Sequence, residues 1–212
     1  MCGIAGFLAD RPDLATLKSM CRQLEHRGPD GNGVWLSDEA ALGHRRLSII
    51  DVAGGAQPLA NETGSVLIVF NGEIYNYRDL RRQLIGKGHR FSTDSDTEVI
   101  VHLYEEEGED APAFLQGMFA FALWDASRHE LFLARDRLGE KPLYYTYSVP
   151  DYRFCFASEV KALTVVPGFE SRVDVTALAD YLALSYVPDP KSIYVGVNKL
   201  PPAHSLTVGR GG

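Results

Sequence analysis

The 212-residue chain carries 21 Lys and Arg against 28 Asp and Glu, a formal net charge of −7 with neutral histidines, and 45% of its residues are hydrophobic. This is the composition of a globular protein with a sizeable core. It excludes intrinsic disorder and collagen-like repeats, and the acidic balance offers no positive footprint for nucleic acid. The longest apolar runs, Val66 to Phe70 and Met118 to Trp124, are strand-sized and fall far short of the ~20 residues of a membrane span. Met1-Cys2-Gly3-Ile4-Ala5-Gly6-Phe7 has no basic leader and reaches Asp10 and Arg11 almost at once, so no secretory signal is read and a cytoplasmic location is expected. Cys2, Cys21 and Cys155 fit neither a disulfide framework nor a CxxC metal site and are expected to be reduced thiols.

No Gly/Ser-rich linker or fixed-period repeat divides residues 1–212, which are read as one domain. Met1 to Leu8 predicts a buried strand, and Leu14, Leu17, Met20, Cys21 and Leu24 recur at helical spacing. His26 to Gly33 is dense in turn formers and predicts a loop, followed by the strand Val34-Trp35-Leu36. Ala41 to Ile50 reads as extended, and Val66 to Phe70 as a β-branched strand stopping at Asn71-Gly72. Tyr77 to Gly86 predicts an amphipathic helix closed by Gly86 and Gly88. Ser95-Asp96-Thr97-Glu98 has the capping-box pattern of a helix start, with Val99, Ile100, Leu103 and Tyr104 on the inner side. Phe114 to Trp124 and Glu130 to Arg135 predict a hairpin around a polar loop. Leu143 to Tyr147 and Arg153 to Ala157 predict a second, with Ser158 capping a short helix through Leu163. Short hairpins alternating with single helices give an α+β arrangement of antiparallel sheets covered by helices. Residues 186–212, with four prolines and a Gly-Arg-Gly-Gly ending, read as a boundary segment.

Cys2 is the most informative residue for chemistry. Removal of Met1 would place an α-amino group, with a reference pKa near ~8, beside a thiol with a reference pKa near ~8.5. A terminal amine of this kind activates a side-chain nucleophile. Acyl transfer also needs an oxyanion site, and Asn71-Gly72 offers a side-chain amide and an uncrowded backbone N–H. A site for a free amino acid needs a fork for its carboxylate, which Arg46 can supply, and an anion for its ammonium, which Asp96 and Glu73 can supply.

These elements occur in order as Met1-Cys2-Gly3-Ile4-Ala5-Gly6, His26-Arg27-Gly28-Pro29-Asp30, His44-Arg45-Arg46-Leu47-Ser48-Ile49-Ile50-Asp51 and Phe70-Asn71-Gly72-Glu73-Ile74-Tyr75-Asn76. Ser95-Asp96-Thr97-Glu98, Gly117-Met118-Phe119-Ala120-Phe121-Ala122, Arg135-Asp136-Arg137-Leu138-Gly139 and Ala157-Ser158-Glu159-Val160-Lys161-Ala162-Leu163 complete the set. The series resembles, essentially end to end, the glutaminase domain of glutamine-hydrolysing asparagine synthetases, a type-2 glutamine amidotransferase among the N-terminal-nucleophile hydrolases. The resemblance implies a four-layer αββα sandwich with two stacked antiparallel sheets. It implies that Cys2 attacks the side-chain amide of L-glutamine, that Asn71 and Gly72 hold the oxyanion, and that the terminal amine carries the proton to departing ammonia. It further implies that Arg46 binds the glutamine carboxylate, that Leu47, Ile49 and Ile50 line the pocket, and that Glu73 and Asp96 lie near the ammonium. The Arg27–Gly33 loop is expected to form a lid or wall of that pocket.

His44, His102 and His129 show no metal-ligand spacing and are read as structural, with no metal and no cofactor expected in this domain. The family's Ser-Gly-Gly-x-Asp pyrophosphate loop is absent from residues 1–212, so ATP and magnesium are expected only in a synthetase domain, in cis or in trans. A homo-oligomer is compatible with this reading, and no nucleic-acid or membrane partner is expected. The alternatives are a non-catalytic glutamine-binding or regulatory module, and an amidotransferase serving another activated carboxylate acceptor.

Overall fold

The computed structural model describes residues 1–48 and 54–209. Two antiparallel sheets stack face to face. One has six strands in the order β10-β8-β9-β1-β3-β2, and the other has five in the order β11-β7-β6-β5-β4. The first comprises β1 (Gly3–Ala9), β2 (Gly31–Leu36), β3 (Ala40–Arg46), β8 (Tyr144–Thr146), β9 (Tyr152–Ala157) and β10 (Val197–Lys199). The second comprises β4 (Leu59–Ala60), β5 (Val66–Ile74), β6 (Gly117–Asp125), β7 (Glu130–Arg135) and β11 (Ser205–Val208). Helices α1 (Leu14–Gln23) and α5 (Val160–Leu163) cover the first sheet, and α2 (Tyr77–Lys87), α3 (Asp96–Glu107) and α4 (Ala111–Phe114) cover the second. A further helix, α6 (Val175–Leu184), follows α5. The expected αββα sandwich is present. No helix among the described residues is long and apolar enough to cross a membrane.

The layering follows from strand alternation. Ile4 and Leu8 of β1 pack between the sheets with Leu42, Leu67, Val69, Phe154 and Phe156, whereas Ala5 and Phe7 face Leu17, Met20 and Leu24 of the first helical layer. On β5, Leu67 and Val69 face the other sheet while Ile68 and Phe70 face Leu80, Leu84, Val99 and Ile100. Central strands with both faces buried read as continuous apolar runs, even in antiparallel sheets. Each such large side chain contributes about 1.5–3 kcal/mol of burial.

Several expected boundaries shift, each for a local reason. The strand predicted to stop at Phe70 runs on to Ile74, because Asn71, Gly72, Glu73 and Ile74 stay in register with Ala120, Phe119, Met118 and Gly117 of β6. Asn71-Gly72 is therefore strand interior and not a turn. The hairpin strand expected from Phe114 begins at Gly117, since Phe114 ends α4. The predicted loop through Gly33 ends sooner, as β2 pairs with β3 from Gly31 onward. The α2 helix runs through Gly86 to Lys87 and ends at Gly88, left-handed at φ 106°, a conformation open to glycine. Ser158 does not cap α5; its Oγ accepts from Ile4 N–H at 3.0 Å while its own N–H donates to the Ile4 carbonyl at 2.8 Å. Ser95 Oγ accepts from Thr97 N–H, but the Glu98 carboxylate accepts from the N–H and hydroxyl groups of Ser92 and Thr93. The capping box is thus half formed. Within 186–212, β10 joins β8 and β11 joins β7, adding one strand to each sheet.

His44 bonds the two sheets directly. Its buried ring donates from Nε2 to the Phe70 carbonyl at 3.1 Å, and burial pushes its pKa down to about 3. Above the unfolded-state value of ~6.5 both states are neutral. Below it the unfolded chain takes up a proton that the folded chain refuses until about pH 3, so stability is lost across that window as pH falls. The wild type should lose about 2 kcal/mol more than His44→Gln between pH 7 and 5 in urea unfolding. The glutamine variant keeps a donor without a titrating ring; identical pH slopes for the two proteins would contradict the assignment.

Candidate active site

The ends of β1 and β3 in one sheet, β5 in the other and the start of α3 converge on one cleft, lined among others by Met1, Cys2, Arg46, Leu47, Asn71, Gly72, Glu73 and Asp96. Every predicted site residue within the described part of the chain is brought there; Ile49 and Ile50 lie outside it. Sequence reasoning missed Gln57, Ser95, Thr97, Met118 and Lys141, which also line the cleft. Lys141 had a signal in the Arg135-Asp136-Arg137-Leu138-Gly139 run. Asp136 accepts from the N–H groups of Leu138, Glu140 and Lys141 and so folds the loop that delivers Lys141.

Cys2 immediately precedes β1, and its backbone is braced from behind. Arg27 Nε donates to the Cys2 carbonyl at 2.9 Å, and the same guanidinium pairs with Glu159 at 2.8 Å. The Arg27–Gly33 loop, expected as a lid or wall, supplies no side chain to the lining of the cleft; Arg27 instead holds the Cys2 backbone from outside it. Cys2 Sγ accepts from Leu47 N–H at 3.4 Å. Burial pushes its thiol pKa up, opposed by that N–H and by the positive charges of the N-terminus and Arg46. Cys21, buried in the α1 stripe, is pushed up to about 11, and Cys155 higher still. Cys2 is the cysteine among the three that reaches solvent.

Asn71 is 1% exposed, and its Nδ2 has no hydrogen-bond partner, a costly arrangement for a buried amide unless a ligand completes it. Gly72 adds a second donor by strand geometry. Opposite it, Phe119 turns its N–H and carbonyl toward Asp136. On the same edge of β5, Phe70 N–H donates to Gln57 Oε1 at 2.6 Å and Ile74 N–H donates to Asp96 Oδ2 at 3.0 Å. Gly72 N–H lies between these two on the strand edge past β4, because alternate residues point the same way. Asp96, the first residue of α3, is 4% exposed. Desolvation first, and then the charge of Glu73, raise its pKa. The cleft therefore places a thiol and amide donors at its centre, a guanidinium on one side and two carboxylates on another.

The fold is shared with solved structures. The glutamine phosphoribosylpyrophosphate amidotransferase of B. subtilis, determined with ADP and GMP, superposes with a TM-score of 0.74 at 22% identity, covering 100% of this chain and 48% of that one. The two chains thus share this fold. Residues 1–212 match the family described as glutamine amidotransferase domain, and the chain belongs to that family. It is 42% identical over 219 residues to glutamine-hydrolysing asparagine synthetase 3 of Bacillus subtilis (strain 168), covering 100% of this chain and 35% of that protein. It is 44% identical over 170 residues to glutamine-hydrolysing asparagine synthetase B of Escherichia coli (strain K12), covering 78% of this chain and 30% of that protein. The chain spans about a third of the length of these curated relatives.

Gly72 is required by close approach. A Cβ there would lie 2.2 Å from the Met118 carbonyl oxygen and 2.8 Å from Phe119 Cα, backbone that cannot yield without parting β5 from β6. Gly72→Ala is expected to cost about 1–3 kcal/mol in urea unfolding. An unchanged unfolding midpoint would show that the strands part freely.

Proposed function

We propose that this chain hydrolyses the side-chain amide of L-glutamine to glutamate and ammonia, with Cys2 as nucleophile. The observation that carries the reading is the buried, unpartnered Asn71 Nδ2 in the same cleft as Cys2 Sγ. A neutral N–H donor held without a partner suits charge that appears only in the transition state.

The steps balance with groups of this chain and water. Met1 is 55% exposed at the cleft, accessible to removal, which gives Cys2 its own α-amino group. That amine takes the thiol proton, Sγ bonds the amide carbon, and the carbonyl π pair moves to oxygen, held by Asn71 Nδ2 and Gly72 N–H. The C–N bond then breaks as the amine returns the proton to ammonia. Water, deprotonated by the same amine, adds to the γ-glutamyl thioester, and C–S cleavage returns the thiolate and its proton to Cys2. Arg46 binds the substrate carboxylate, and Asp96 with Glu73 binds the ammonium. These opposite charges, at the far end from the scissile amide, orient the substrate without taking part in bond making.

The ammonia serves asparagine synthesis in a synthetase domain, in cis or in trans, to which ATP and magnesium belong. Two observations support such a partner. The similar synthetases are about three times longer than this chain, and α6 and its C-terminal flank leave Val175, Tyr181, Leu182, Leu184 and Tyr186 exposed. Exposed large apolar side chains concentrated on one helix and its flank suit an interaction face.

Steady-state glutaminase assays test the roles. Cys2→Ala should abolish turnover. Asn71→Ala should lower kcat about 10²–10³-fold, the loss typical of one oxyanion donor. Arg46→Ala and Asp96→Ala should mainly raise KM. Because the Asp96 pKa is raised, KM for glutamine should climb on acidification at a pH above the ordinary carboxylate range. Turnover by Cys2→Ala, or a kcat loss confined to Arg46→Ala, would refute the assignment. A processed chain that binds glutamine without hydrolysing it would favour the non-catalytic alternative.

A further inference from the structure

A second convergence of titratable side chains lies away from the cleft, on the outer helical layer. It is assembled from three separate segments. Glu62 comes from the connection between β4 and β5, His89 follows the Gly88 cap of α2, and His102 and Glu105 sit three residues apart on α3. One ligand atom from each of the four lies within 4.8 Å of all the others. His102 Nδ1 stands 2.8 Å from Glu105 Oε2 and 3.7 Å from Glu62 Oε2, and His89 Nδ1 stands 3.7 Å from the same Glu105 oxygen. Donors at ~2.0–2.2 Å from a tetrahedral ion are separated by roughly 3.4 Å, which these spacings bracket.

The outer contacts of His89, Glu105 and Glu62 point the same way. His89 Nε2 donates to Glu106 Oε1 at 3.0 Å, which leaves the Nδ1 lone pair facing the cluster. Asn61 Nδ2 donates to the other oxygen of Glu105 at 2.7 Å, and Arg90 N–H donates to the other oxygen of Glu62 at 2.9 Å. His102 is fully buried; its Nε2 makes no hydrogen bond and stands 3.8 Å from Glu98 Oε1. A single proton on His102 would satisfy Glu105 but leave His89 Nδ1 and Glu62 Oε2 facing other acceptors. A divalent cation would neutralise both carboxylates and engage both ring nitrogens. The held His89 ring and the held carboxylates of Glu62 and Glu105 are the kind of outer support a metal centre uses.

We propose that Glu62, His89, His102 and Glu105 bind a divalent first-row transition-metal ion, with zinc best matched to two imidazole nitrogens and two carboxylate oxygens. Four protein donors complete a tetrahedron and leave no open position, so the site is structural. It staples the β4–β5 and α2–α3 connections to α3. His102 lies six residues, ~9 Å along the helix, from Asp96, so the staple steadies the helix that carries a cleft carboxylate. Glu62, His89 and Glu105 keep partial exposure, which gives the ion a path from solvent.

The test is zinc competition against a chromophoric chelator using the 212-residue chain in a Cys2→Ala background, which removes the solvent-reaching thiol. One zinc per chain is expected, and Co2+ in its place should show the intense visible bands of tetrahedral coordination. His89→Gln and Glu105→Gln, at the solvent side, should each weaken binding by at least about tenfold, and Glu106→Gln, which loosens the His89 ring, by roughly 10–100-fold. Loss of zinc in these variants with unchanged far-UV circular dichroism would support the site. Absence of stoichiometric zinc, an octahedral Co2+ spectrum on the parent chain, or binding indifferent to His89→Gln and Glu105→Gln would overturn it.

Discussion

Ile4 and Leu8 of β1 meet Leu67 and Val69 of β5 across the space between the sheets, and the cleft depends on that contact. The Cys2 thiol and the Arg46 guanidinium stand at the ends of β1 and β3, while the Asn71 and Gly72 amide donors stand on β5 of the other sheet. Neither sheet alone holds a site. The His44 bond to the Phe70 carbonyl adds a fixed polar link two residues from Arg46 and one from Asn71. It ties β3, which carries Arg46, to β5, which carries Asn71 and Gly72, at the point where a small slip would separate them.

The same stacking sets the electrostatics. Burial raises the pKa values of both the Cys2 thiol and the Asp96 carboxyl, so the site holds its charged forms at a cost and relies on neighbours to offset it. Leu47 N–H and Arg46 do so for Cys2, and Ile74 N–H does so for Asp96. Asn71 Nδ2 has no such partner. A cleft whose charges are partly satisfied by the protein and whose neutral donor is left free is complementary to a zwitterion at one end and a developing oxyanion at the other.

Much of this was legible in the sequence, and the exceptions have physical causes. Cys2, Arg46, Asn71, Gly72, Glu73 and Asp96 could be named because their local sequences are distinctive and occur in order. Asn71-Gly72 looked like a turn because the pair is a strong turn former, yet pairing with Ala120 and Phe119 overrides that preference. The Gly72 N–H is thereby presented on a strand edge. Ser158 and Glu98 looked like helix caps, but each is taken by a partner, Ile4 in one case and Ser92 with Thr93 in the other, that local pattern does not reveal. Helix α6 escaped the reading altogether, and so did the grouping of Glu62, His89, His102 and Glu105, whose members are brought together only by tertiary packing.

The central claim, that Asn71 Nδ2 and Gly72 N–H await an oxyanion formed on Cys2, is tested most directly by NMR of the processed chain with the γ-aldehyde analogue of glutamine. The account predicts a thiohemiacetal on Cys2, with the Asn71 side-chain amide and the Gly72 amide protons both shifting downfield as they bond the new oxyanion. A Cys2 adduct that leaves both resonances in place would contradict it.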